Sequence, residues 1–65
     1  MTAEEKRSLR HAIARFEGTL HRHVDVISAE DIGNGRKKVI AKIKRFKYGF
    51  IFQGVGISQS WRIIE

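Results

Sequence analysis

The chain contains no cysteine and no proline. Without thiols, a disulfide framework and thiolate metal sites are excluded. Without proline, no strand ladder loses a backbone donor. Long apolar runs are missing too, since nothing approaches the ~18 residues that a membrane span requires. The N-terminal stretch MTAEEKRSLRHAI opens on acids where a signal peptide would carry an apolar segment. A soluble, cytoplasmic protein without a membrane partner is the expectation. Acidic residues almost vanish from the second half: residues 32–65 hold eight bases and one acid, whereas residues 1–31 hold five bases and six acids.

What is present is enough for one small folded domain over residues 1–65. The hydrophobic fraction is 42%, within the globular range. A chain this short buries only about 60% of the surface it exposes when unfolded, so it needs a tightly packed core or a second subunit. A homodimer is therefore one expectation.

Leu9, Ile13, Phe16 and Leu20, with Ala12 alongside, recur at helical spacing and form one apolar wedge. Thr2 stands three residues before Glu5, the spacing of a capping box. Gly18 suits a helix stop. A helix over about 3–17, or 3–20, is predicted. Beyond it the apolar period falls to two. HVDVISAEDI reads as a strand over about 23–32, and Gly33–Asn34–Gly35 as a hairpin turn tolerant of positive φ. RKKVIAKIKRF predicts a second strand over 36–46, with Val39, Ala41 and Ile43 on one face. Arg36, Lys38, Lys42 and Lys44 share the other face with Ile40 and Phe46. A type I turn at Lys47–Tyr48, with Gly49 in the left-handed position of a bulge, leads to strands over about 50–57 and 61–65, with SQS or GVG turning between them. The expected fold class is α+β: an N-terminal amphipathic helix packed on a three- or four-stranded antiparallel β-meander as a two-layer sandwich.

Seven of the twelve residues from Arg36 to Lys47 are Lys or Arg. Alternation separates cations on one strand face by steps of about 6.6–7 Å, which approaches the phosphate spacing along a nucleic-acid strand. Edge-strand protection explains two or three lysines. It explains poorly the whole set Arg36, Lys37, Lys38, Lys42, Lys44, Arg45 and Lys47. These seven residues are the candidate phosphate contacts. Tyr48, at the expected turn tip, is the candidate stacking ring, while Phe50 and Phe52 read as core.

Tyr48, Gly49, Phe50 and Ile51 match the centre of the aromatic strand motif of RNA-recognition and cold-shock domains, which KYGFIF partly resembles. That resemblance implies rings presented to stacked bases. Phe46 stands where the motif has a base and Lys47 where it has Gly. The helix-then-strands order resembles the first part of double-stranded-RNA-binding domains, without their closing helix.

Other constellations carry less. Arg7, His11 and Arg15 form a stripe opposite the apolar wedge and read as a solvated helix face. His21 and His23, on one face if extended, have Asp25 near but no further ligand at a metal spacing, so no metal or other cofactor is expected. No serine pairs visibly with a histidine and a carboxylate, and an enzyme is not expected. The composition points to a small basic nucleic-acid-binding protein, DNA ahead of RNA, acting as a regulatory or architectural factor. The alternative is a phage- or plasmid-type interaction protein whose basic, aromatic surface occludes an acidic site on a larger protein.

Overall fold

Thr2 starts the helix in the computed structural model, which describes residues 2–64. Its side-chain oxygen accepts a hydrogen bond from Glu5 N at 3.1 Å. Glu4 and Glu5 sit in the first turn, where the helix dipole favours them. Helix α1 spans Ala3–Glu17, and Gly18 ends it at φ 69°, a left-handed conformation that glycine adopts without steric cost. A short 3₁₀ turn at His21–His23 follows. Four strands complete the chain: β1 (Val24–Gly33), β2 (Arg36–Ile43), β3 (Phe46–Gln53) and β4 (Gly56–Ile63). They form one open antiparallel sheet in the order β1-β2-β3-β4. The fold is α+β, one helix layer on one sheet layer.

All three hairpins turn through two residues. Asn34 and Gly35 both have positive φ, 57° and 71°, as a type I′ turn demands. Gln53 ties the far end of β3 to this turn by donating to Asn34 O at 3.3 Å.

The second hairpin corrects the expected register. Its turn lies at Lys44–Arg45, not Lys47–Tyr48, so β2 ends at Ile43 and β3 begins at Phe46. Gly49 is mid-strand and has no left-handed backbone. Lys44, in contrast, sits at φ 57°, a strain of about 1 kcal/mol or more for a non-glycine residue. The compensation is long-range. This register pairs Val39 with Phe50, Ala41 with Tyr48 and Ile43 with Phe46, whereas a one-residue slip would turn the apolar set to the wrong side. The last turn lies at Gly54–Val55, in GVG and not in SQS, so β4 begins at Gly56, earlier than residue 61.

The core lies between α1 and the facing sheet surface. Leu9, Ile13 and Ala14 pack with Val24, Val26, Val39, Ala41, Ile43, Phe50 and Phe52. The expected face of β2 is therefore the buried one. Two residues depart from the expected wedge: Phe16 is 52% exposed and Leu20 lies beyond the helix, also exposed. Phe16 still meets Phe50 edge-on, with ring centroids 6.2 Å apart. Strand β1 loses its alternation through register shifts that leave Ile27 and Ile32 unopposed and turned outward. That is why its sequence alternates only in part.

Candidate nucleic-acid interface

Pairing across the strands sorts side chains into rows, and alternate rows face opposite ways. One set, including Val26–Ala41–Tyr48 and Ala29–Val39–Phe50, faces α1. The other set faces away: Asp25–Lys42–Lys47–Ile63, Ser28–Ile40–Gly49–Trp61 and Glu30–Lys38–Ile51–Gln59. Among the described residues nothing covers this second face.

Trp61 stands at its centre. A Cβ added at Gly49 would overlap the indole atoms Cζ2 and Cε2. The ring thus lies directly over the glycine, and glycine in this strand leaves room for it. Ile51 is buried beside it although it points away from the main core. The indole remains 39% exposed, anchored on one side and open on the other.

Cations frame the ring. Arg36, Lys38 and Lys42 are exposed along β2, and Lys47, half-buried, stands directly across from Lys42. Along β1 the face turns acidic, with Glu30 opposite Lys38 and Asp25 opposite Lys42. A polyanion would therefore run over β2 to β4, parallel to the strands, rather than across β1.

The candidate residues read from sequence divide into three groups. Arg36, Lys38, Lys42 and Lys47 share the open face. Lys44 and Arg45 form the tip of the β2–β3 hairpin, so Lys44 does not lie in the β2 row. Lys37 and Tyr48 lie on the helix side. There Lys37 Nζ donates to Glu5 Oε1 at 3.0 Å, forming an ion pair. Tyr48 is half-buried against Phe50, ring centroids 6.3 Å apart, and not at a turn tip. Phe46 also belongs to the helix-side row, through its pairing with Ile43. The ring that does occupy the open face, Trp61, was missed; its signal was a lone tryptophan one strand on from a mid-strand glycine.

The histidines form a different feature. His21 and His23 lie in the 3₁₀ turn instead of a strand. His21 stacks on His11 with centroids 4.4 Å apart. Desolvation lowers the His11 pKa from its ordinary 6.5, helped by the charges of His21, Arg10, Arg7 and Arg15. No group of three or more metal-ligating side chains converges among the described residues.

Among the described residues no helix is long and apolar enough to cross a membrane. Comparison of the chain with known protein families, curated proteins and solved structures finds no match.

Proposed function

We propose that the protein binds a single strand of nucleic acid on the open face of its sheet, as a small regulatory or architectural factor. The observation that carries this reading is the Trp61 ring, seated on Gly49 and framed by Arg36, Lys38, Lys42 and Lys47. Bases stack on an anchored aromatic ring while cations follow the phosphates. A duplex fits less well. Four strands put the outer strand axes about 14 Å apart, wider than a major groove of about 12 Å that admits a helix or a two-stranded ribbon. Neither stacking nor phosphate pairing calls for a 2′-hydroxyl, the group by which proteins tell RNA from DNA. DNA therefore suffices as the ligand.

Self-association belongs to the same proposal. The β1 edge carries three acids and two outward bulge residues, whereas β4 carries one charge, Arg62. A second copy would add to β4. Sedimentation equilibrium showing only a 7.5 kDa species would remove the dimer.

Titration of labelled single-stranded DNA, single-stranded RNA and duplex DNA at two salt concentrations tests the binding. Trp61→Ala costs about 1–3 kcal/mol on single strands with little change in salt slope. Lys38→Gln or Lys42→Gln flattens the slope by about 0.7 per lost phosphate contact. Arg7→Gln and Arg15→Gln, on the exposed helix face, are the charge-matched controls. If the controls weaken binding as much as the β2 lysines, only net charge is at work. Occlusion of an acidic protein site then becomes the better reading.

A further inference from the structure

At the end of the sheet, between the β2–β3 hairpin and the last residues of β4, lies an open dish of about 560 Å³. Four cations line it, Lys42, Arg45, Lys47 and Arg62, together with Phe46 and Ile63. Residues of both sheet faces meet at this end. Lys42, Lys47 and Ile63 form one row of the open face, whereas Phe46, paired with Ile43, and Arg62, paired with Tyr48, belong to helix-side rows. Arg45 sits in the turn just before Phe46. The guanidinium carbons of Arg45 and Arg62 lie 5.9 Å and 5.3 Å from the centre of the Phe46 ring. That ring is 43% exposed. Neither arginine has a hydrogen bond or ion pair among the described residues. Among the described residues that line the dish, none is acidic.

Like charges around one concavity repel, and the dish concentrates their field on a small volume. A guanidinium held over an aromatic ring keeps its N–H edge available, and that edge matches phosphate oxygens in pairs. The volume falls within the range of about 300–1,000 Å³ typical of small-molecule sites. A phosphomonoester brings roughly −1.5 to −2 charges at neutral pH and three acceptor oxygens, whereas each internal phosphodiester brings a single charge. We propose that this dish binds a nucleoside monophosphate group, its phosphate taken by Arg45, Arg62 and Lys42 and its base resting on the apolar rim of Phe46 and Ile63. The group belongs either to a free nucleotide or to the phosphorylated end of a strand. In the second case the proposal rests on the sheet-face reading above and makes the protein a binder of strand termini.

Binding titrations with the full chain separate these cases. The probes are adenosine, adenosine monophosphate, and an oligothymidylate carrying a 5′-phosphate, a 3′-phosphate or neither. The expected result is that the monophosphate binds where adenosine does not, and that one terminal phosphate raises strand affinity about 10–100-fold, as charge-assisted hydrogen bonds do. Arg62→Gln removes that increment and leaves the unphosphorylated strand within about twofold. Arg45→Gln, in an exposed turn whose loss does not threaten the fold, does the same; Trp61→Ala does the reverse. If phosphorylation changes neither nucleoside nor strand affinity, the dish is overturned, while the sheet face stands so long as unphosphorylated strands bind. Monophosphate binding by a protein that holds no strand sustains the dish and removes the sheet-face reading. A uniform loss on every probe with Arg62→Gln reduces the effect to net charge and overturns the site.

Discussion

On the side of the sheet that α1 covers, Val39, Ala41 and Phe50 are completely buried, whereas on the opposite side Trp61, two strands from Ile40 in the same row, keeps 39% of its surface exposed. Both sides are built from alternate residues of the same strands, and both have an apolar centre. Their difference lies in what flanks that centre. Toward α1 the flanks close with aliphatic and aromatic side chains and one ion pair at the margin, Lys37–Glu5. Away from α1 they carry Lys38, Lys42 and Lys47, with acids, among the described residues, only along β1. A dry apolar face holds a small domain together. An apolar ring in a cationic frame contributes less to that purpose, and on the proposed reading it is what a polyanion meets.

The largest effect that tests this division comes from the dry side. Phe50→Ala is expected to cost about 3–5 kcal/mol, a large part of the stability of so small a domain. Phe16→Ala, which removes a ring already half in water, is expected to cost only about 1–2 kcal/mol. Urea denaturation of both variants checks the ranking. Equal losses would mean that the helix wedge reaches farther over the sheet than its exposure indicates.

Gly49→Ala comes next and attacks the open side. The added methyl group overlaps the indole, so Trp61 must leave its seat, at an expected cost of about 1–3 kcal/mol. The only tryptophan of the chain makes this visible, because its emission shifts to the red as the ring enters water. An unshifted spectrum would show that the ring has another support.

Breaking the marginal ion pair has a smaller effect. Both partners are more than a third exposed, so Glu5→Gln and Lys37→Met are each expected to change stability by less than about 1 kcal/mol, with no excess in the double variant. A double-mutant cycle reads the coupling. A large coupling would make the margin of the dry face as important as its centre.

The smallest effect concerns the stacked histidines, outside both faces. The folded-state pKa of His11 is lowered, so between that value and the ordinary 6.5 the unfolded chain binds more protons than the folded one. Stability contributed by neutral His11 is therefore present above this window and is lost as pH falls through it. His11→Gln is expected to flatten the difference between melting temperatures at about pH 5 and about pH 8. A parent-like difference would assign the pH dependence elsewhere.

Local chemistry made much of this legible. Thr2, Glu5 and Gly18 bracket the helix because capping is settled within a few residues. Asn34–Gly35 makes its hairpin because both residues accept left-handed backbone at low cost. Val39, Ala41 and Ile43 face the core as alternation predicts. The concentration of bases after Gly35 is a property of composition, which folding leaves unchanged. What could not be read was where the second hairpin turns. KYG looks locally like a turn, and Lys44 does not, since it bears the strain of positive φ.

That turn is decided by the sheet. Alternation tells which residues of one strand share a face, but only pairing between strands tells which neighbours they meet. The energy comes from apolar pairs distant in sequence, Val39 with Phe50 and Ala41 with Tyr48, and these outweigh the strain of one lysine. Moving the turn to Lys44–Arg45 takes Tyr48 from a tip into the helix side and Gly49 from a bulge into mid-strand. It also brings Trp61, through the β3–β4 pairing, onto that glycine. The charge and the building blocks are thus local matters, while the composition of each face depends on contacts that exist only once the strands have met.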